Sequence, residues 1–429
     1  SRRQRQMCIR DRNRDFTMEG YNKKVIMSYW TICRMKTTKK IYVKVSIIFL
    51  LGGILLFSSC EKEENQKIEA NRKTLFMYLP WSSNLTNYFY NNISDLEKCI
   101  TKIGLNNEKV IVFISTGSTE AMMFEIVSSH GRCKREILKK YKSPPFTTID
   151  GITAILNDVK AFAPASVYTM IIGCHGMGWL PVYEMKVRSA PHMKMHWEYQ
   201  GVPLTRYFGG LTAEYQTDIK SLASGIANAG MKMEYILFDD CYMSSIEVAY
   251  ELKDVTKYLI GSTSEMMAYG MPYAAIGEYL LGNPDYQSGC EEFYNFYSTY
   301  EIMPCGTLAV TDCSELENMA AIIKSINSKY SFDKSLRGTI QRLDGYTPVI
   351  FYDFADYITS LCNDPILLNQ FREQLNHLVP YKTHTKNFYT MAKGIIPINT
   401  FSGITTSDPS DNPMTVLKEN TLWYKAAHN

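Results

Sequence analysis

Short apolar runs alternate along this chain with longer stretches whose apolar residues recur every three or four positions. Leu75–Leu79, Val110–Ser115, Val167–Gly173, Tyr235–Phe238 and Tyr258–Gly261 have strand length and little polar interruption, the pattern of strands buried on both faces. Between them, Asn92–Ile103 carries Ile93, Leu96, Ile100 and Ile103 at helical spacing, and Ile152–Phe162, Asp218–Ala229 and Ser244–Leu252 read the same way. Met122–Val127 and Glu136–Tyr141 read as hairpin strands about the turn His130-Gly131. This alternation predicts an α/β fold: a mostly parallel sheet flanked by helices on both faces. Beyond residue 283 the pattern thins. Val310-Thr-Asp312 ends a strand, Leu316–Ile326 and Leu367–Leu378 are helical, and the tail after 380 is irregular.

Residues 181–217 interrupt the rhythm with Pro181, Pro191, Pro203, Gly201, Gly209 and Gly210, and a loop this long inside a domain is usually functional or disordered. The front of the chain has its own pattern. Residues 1–34 are expected to be a non-native leader, because Met7-Cys-Ile-Arg-Asp-Arg12 resembles a translated sequencing adapter. From Met35 a lysine-rich start leads to the apolar run Val45–Phe57 and then Ser58-Ser59-Cys60, the order of a secretory signal. The run is shorter than the ~20 residues a membrane-spanning helix needs. The boundaries follow: 35–59 signal peptide, 60–73 lipidated tether, 74–282 core, 283–429 a continuation of the same domain.

Charge changes once the front is set apart. Residues 1–44 hold thirteen Lys and Arg against three Asp and Glu, and 45–59 hold none, so the full chain's +3 leaves −7 for residues 60–429. A mildly acidic mature chain gives a nucleic-acid partner no support. The cysteines are scattered without a C-x-x-C pair, which argues against a disulfide framework.

Two of the core runs end in reactive side chains. Tyr168-Thr-Met-Ile-Ile-Gly-Cys-His175-Gly-Met-Gly-Trp179 closes on a histidine, and Glu234-Tyr-Ile-Leu-Phe-Asp239-Asp-Cys241-Tyr-Met-Ser-Ser-Ile-Glu247 on a cysteine. Adjacent parallel strands place both tips on one carboxyl-end rim, where open α/β sheets put their sites. His175 and Cys241 are therefore the candidate acid-base partner and nucleophile, with the backbone N–H groups of Gly176 and Cys241 as oxyanion donors. The following helix, read from Ser244, would lower the thiol pKa through its positive end. Cys174 reads as core. Taken alone, Cys241 reads first as a buried small hydrophobe, the commonest fate of a free cysteine.

H-G-x-G-W followed by D-x-C-x-M-x-x-x-E resembles the clostripain-like cysteine peptidases, relatives of caspases and gingipains. Thr74-Leu-Phe-Met-Tyr-Leu-Pro-Trp-Ser-Ser-Asn-Leu85 resembles that family's opening strand, and Gly270-Met-Pro-Tyr273 its G-W-P-Y segment, with Met271 for Trp. The resemblance implies a caspase-like fold and an endopeptidase acting on polypeptides. It implies that Asp239 lines the primary specificity pocket and favours Arg or Lys. The second acid that often precedes G-W-P-Y is here Tyr269. It also implies self-cleavage between the histidine and the cysteine, for which Lys186, Arg188, Lys194 and Arg206 are the basic candidates. Calcium, used by some relatives, has no D-x-D-x-D-G loop here; no cofactor is expected, and His192 and His196 lack a third metal ligand. The other readings are a catalytically silent surface-binding lipoprotein with the same fold and a small-acyl hydrolase with a closed pocket.

Phe57-Ser-Ser-Cys60 resembles a bacterial lipobox, and Glu61-Lys-Glu-Glu64 the acidic export tag of Bacteroidota surface lipoproteins. The expectation is an outer-membrane protein anchored by lipid on Cys60, since stable anchoring needs more than one acyl chain. Mass spectrometry of a membrane fraction checks it. Lipid on an amino-terminal Cys60 is expected, and Cys60→Ser leaves the chain soluble or uncleaved; an unmodified Cys60, or another mature amino terminus, overturns the anchor.

Overall fold

All five residues from Val110 to Ile114 are fully buried, so that strand is covered on both faces, as its unbroken apolar run requires. In this computed structural model, residues 71–82, 85–182, 202 and 215–428 are described. The first half of the chain runs β1 (Asn71–Leu79), α1 (Thr86–Ile103), β2 (Glu108–Gly117), β3 (Glu120–Ser129), β4 (Arg132–Lys142), α2 (Ile149–Phe162) and β5 (Ala165–Ile172). It continues with α3 (Ile219–Asn228), β6 (Met233–Phe238), α4 (Ile246–Leu252), β7 (Thr256–Gly261), α5 (Tyr273–Leu280), α6 (Tyr286–Ser298), β8 (Thr307–Asp312) and α7 (Leu316–Asn327). The remainder is β9 (Tyr352–Asp353), α8 (Phe354–Leu361), α9 (Pro365–Leu378), β10 (Tyr381–His384), β11 (Asn387–Thr390), β12 (Gly394–Pro397), β13 (Thr405–Thr406) and α10 (Leu422–His428).

Nine strands form one mixed sheet in the order β10-β8-β7-β6-β5-β1-β2-β3-β4. The central stretch β7-β6-β5-β1-β2 is parallel. Antiparallel strands finish both edges. Helices pack in two groups, α1 with α5 and α6, and α2 with α3, α4, α10 and α7. The chain leaves β1 toward β2 on one side and returns through β5 on the other, so the strand order reverses at β1. Carboxyl ends beside such a reversal open the crevice in which α/β folds place ligands. The histidine and cysteine segments end the neighbouring strands β5 and β6 on that rim.

Local rules account for the element ends. His130 and Gly131 both take positive φ, 51° and 69°, the two-residue turn whose twist suits a hairpin. Thr148 caps α2 by accepting from Gly151 N at 3.1 Å. Helix α4 starts two residues later than its apolar spacing suggests, because Ser245 spends its hydroxyl as the cap, accepting from Val248 N. The tail after 380 is more ordered than its pattern: β10 joins the main sheet, β11 and β12 form a hairpin, and β13 pairs with β9. Strands of two to four residues are too short to show a period. Residues 69–429 form one compact unit. The eight described cysteines form no disulfide, and among the described residues no helix is long and apolar enough to cross a membrane.

Glu247, the last residue of the cysteine motif, is buried on α4. Its Oε1 accepts from Ser407 N (2.7 Å) and Thr406 Oγ1 (3.0 Å), while Oε2 has no partner among the described residues. Trp179, the last residue of the histidine motif, donates Nε1–H to Ser407 Oγ at 2.9 Å. Both motifs thus end on the same C-terminal loop. Burial, and then the charge of Asp408, pushes the Glu247 carboxyl up to about 7. A raised carboxyl pKa means the folded chain keeps a proton that the unfolded chain releases, so this group's contribution falls as pH rises from about 4.5 to about 7. Glu247→Gln is expected to raise the melting temperature near pH 8 and leave it unchanged near pH 4, a gap on the order of 3 kcal/mol. Parallel melting curves of the two proteins across that range contradict the assignment.

Candidate active site

β5 ends at Ile172, before Cys174 and His175, so strand alternation does not set the directions of those two side chains. A carboxylate does. Asp240, fully buried, accepts from Cys174 N at 2.6 Å and from Cys174 Sγ at 3.2 Å. The Cys174 thiol is held in the interior while the chain continues through His175, and the core reading of Cys174 stands. Asp239 N donates to Ile172 O at 2.8 Å, and Gly173 N to Tyr78 O at 3.1 Å, extending the parallel ladder to the last residue before each turn.

The two tips touch at Gly176. A Cβ added there would lie 2.2 Å from Cys241 O and 2.9 Å from Cys241 N. Only a residue without a side chain lets the backbone after His175 lie on the backbone of Cys241. His175 and Cys241 are both fully buried. The Cys241 sulfur accepts from Met266 N at 3.1 Å and lies 3.7 Å from Met266 O. α4 starts five residues past the cysteine, two later than the sequence spacing suggests, and a backbone donor at the sulfur comes from the segment after β7. That segment is paired to the cysteine tip through Tyr242 N to Ser264 O and Ser244 N to Ser262 O.

Asp239 sits below the same rim, 1% exposed. Its Oδ1 accepts from Met271 N at 2.8 Å and its Oδ2 from Tyr273 Oη at 2.9 Å, so it fastens the Gly270–Tyr273 segment to β6. Helix α1 fixes the same segment from the other side. Asn92 Nδ2 donates to Tyr269 O at 2.8 Å, and Tyr269 Oη donates to Asp95 Oδ2 at 2.6 Å. Burial, then the Asp95 hydrogen bond, raises the Tyr269 phenol further, so it stays a donor. Where the resemblance led us to look for an acid at 269, the structure shows a tyrosine bonded to an acid from α1. Sequence reading missed Asp95 and Ser407 because nothing local marks a residue whose partner is more than a hundred positions away. Cys60, Lys186, Arg188, His192, Lys194, His196 and Arg206 lie outside the described residues. Among the described residues, no group of three His, Cys, Asp or Glu is placed to hold a metal ion.

Residues 77–396 match the Peptidase_C11 family, described as the clostripain family. The chain belongs to that family. A secreted C11 cysteine protease of Bacteroides thetaiotaomicron, "iotapain", shares 58% identity with a TM-score of 0.78, over 84% of this chain and 99% of that one. A clostripain from Bacteroides thetaiotaomicron ATCC 29148, solved with a peptide inhibitor, shares 65% identity with a TM-score of 0.51, over 52% of this chain and 99% of that one. An inactive zymogen C11 protease from Parabacteroides distasonis, at 24% identity and TM-score 0.69 over 83% of this chain and 98% of that one, shares the fold. No curated protein matches. The caspase-like α/β fold and cysteine protease activity expected from the sequence are those of this family.

Gly176→Ala tests the contact between the tips. The added methyl meets backbone atoms of Cys241, which cannot swing aside as a side-chain end can. Overpacking of this kind costs about 1–3 kcal/mol, and the tips should part. The variant is expected to melt lower and to lose most turnover. Wild-type turnover and melting in Gly176→Ala would show that the two backbones do not meet in the working enzyme.

Proposed function

We propose that this protease is an endopeptidase working through a Cys241–His175 dyad and selecting a basic side chain before the scissile bond. The observation that carries the dyad is the seating of Gly176 on the Cys241 backbone, which fixes the residue after the histidine against the cysteine. In the proposed reaction the Cys241 thiolate forms a bond to the scissile carbonyl carbon, and the π electrons move to oxygen. The N–H groups of Gly176 and Cys241 receive that oxyanion. Collapse breaks the C–N bond, and His175 protonates the departing amine. Water then adds to the thioester with His175 taking its proton, and the thiolate leaves. No cofactor enters these steps.

Asp239 is the proposed selector, because a buried carboxylate below the rim favours a cation. Hydrogen bonds from Met271 N and Tyr273 Oη orient it. The 65%-identical clostripain was solved with BTN-VLTK-AOMK, whose peptide sequence ends in lysine. Complete burial of His175 and Cys241 supports the further reading that cleavage within 181–217, at Lys186, Arg188, Lys194 or Arg206, opens the site. Export and a lipid anchor on Cys60 complete the proposal, and the secreted relatives are in keeping with export.

A panel of fluorogenic peptides ending in Arg, Lys, Asp, Asn or Leu, on residues 61–429, tests it. Cleavage after Lys or Arg is expected, with none above background in Cys241→Ala and a severe loss in His175→Ala, whose Cys241 remains slowly alkylatable. Asp239→Asn should lower kcat/KM for basic substrates roughly a hundredfold, since breaking a buried charge pair costs about 2–5 kcal/mol. Full turnover in Cys241→Ala sinks the dyad. Absence of cleavage after Lys or Arg sinks the pocket and leaves the dyad standing.

A further inference from the structure

Tyr242, the residue directly after Cys241, has φ +61°. Among the described residues four non-glycines have positive φ; the other three, Asn107, His130 and Ser143, are small or polar turn residues of the kind that tolerate it. A fully buried aromatic residue in that region is different. It is strained and persists only where its surroundings impose it.

The Tyr242 ring stacks on Phe351 with centroids 4.9 Å apart and planes at 17°. Its hydroxyl donates to Glu265 Oε1 at 2.8 Å, and Glu265 Oε2 accepts from Met391 N at 2.9 Å. Burial, and then the charge of Glu265, pushes the phenol well above its ordinary range, so it remains a donor at any working pH. Phe351 is itself fixed: Asp344, fully buried, accepts from Tyr346 N, Ile350 N and Phe351 N at 2.7, 2.8 and 2.6 Å. The same aromatic ring limits the histidine loop. A Cβ on Gly178 would lie 2.8 Å from the Phe351 ring and 3.2 Å from Tyr242 O. Tyr346 Oη reaches Met177 Sδ at 3.3 Å.

We propose that Tyr242 is a positioning residue: clamped by Phe351 and Glu265, it forces the backbone after Cys241 into the left-handed conformation that presents the nucleophile to the histidine loop. The inference rests on Cys241 being the nucleophile. It assigns a role to the Asp344–Phe351 loop and to Met391, which lie far from both motifs in sequence. The side chain's work is to hold a backbone angle, and glycine adopts that angle without strain where alanine does not. Two truncations of nearly equal size therefore give opposite answers.

The experiment measures kcat, KM and the rate of Cys241 alkylation by iodoacetamide for Tyr242→Gly, Tyr242→Ala, Tyr242→Phe and Phe351→Leu in the full chain, with melting curves. Tyr242→Gly is expected to keep at least fivefold more kcat and alkylation rate than Tyr242→Ala, with KM within twofold of wild type in both. If both truncations fail to fold, Tyr242→Phe and Phe351→Leu decide: each should lower kcat severalfold at unchanged KM. Equal kcat in the Gly and Ala variants, or wild-type kcat in Tyr242→Phe and Phe351→Leu, overturns the positioning role. Turnover that survives Cys241→Ala removes the nucleophile reading itself and is told apart by that control.

Discussion

The site depends on one buried carboxylate. Asp240 lies just past β6, and both its oxygens accept from Cys174, just past the end of β5. The parallel ladder brings the two strands together only as far as Ile172 and Phe238. Beyond them the chains diverge into different loops, and nothing in strand pairing keeps His175 near Cys241. The Asp240 bonds carry the junction two residues further on each chain. Gly176 then settles on the Cys241 backbone because it has no Cβ to hold it off. A carboxylate buried this fully is stable only while its hydrogen-bond donors stay in place, so junction and carboxylate hold each other.

A second layer comes from the last hundred residues. Ser407 joins the ends of both motifs through Trp179 and Glu247. Ser244 Oγ donates to Gly403 O at 2.7 Å, and Thr405 N to Ser244 O, so the turn between Cys241 and α4 is laced to the same stretch. The parallel strands supply the rim; the C-terminal loops supply its rigidity. Side chains set on loops gain precision when packing and further hydrogen bonds lock them, and here those bonds come from chain far from either motif.

The fold was legible where physics is local. Continuous apolar runs gave the central strands, and helical spacing at Ile93, Leu96 and Ile100 gave α1 through its end at Ile103, although the helix begins six residues before the expected Asn92, at Thr86. The motif residues at the ends of β5 and β6 pointed to the site because strand-helix alternation fixes where carboxyl ends lie. What stayed hidden was long-range. Asp240 looks interchangeable with Asp239 in sequence, yet one ties β5 to β6 and the other ties β6 to Met271 and Tyr273. The helix after the cysteine begins two residues later than its spacing suggested, at Ile246, because Ser245 is its cap. Tyr269 pointed to a missing acid, whereas Asp95 on α1 could be found only by folding the chain.

The central claim is that Cys241, among eleven cysteines, is the nucleophile and that the histidine loop activates it. Labelling the enzyme with a lysine-ending peptidyl acyloxymethyl ketone and mapping the adduct by mass spectrometry tests this directly. The account predicts one adduct, on Cys241, formed far more slowly in His175→Ala and absent in Cys241→Ala. An adduct on Cys174 or any other cysteine, or labelling of Cys241 at an equal rate without His175, would contradict it.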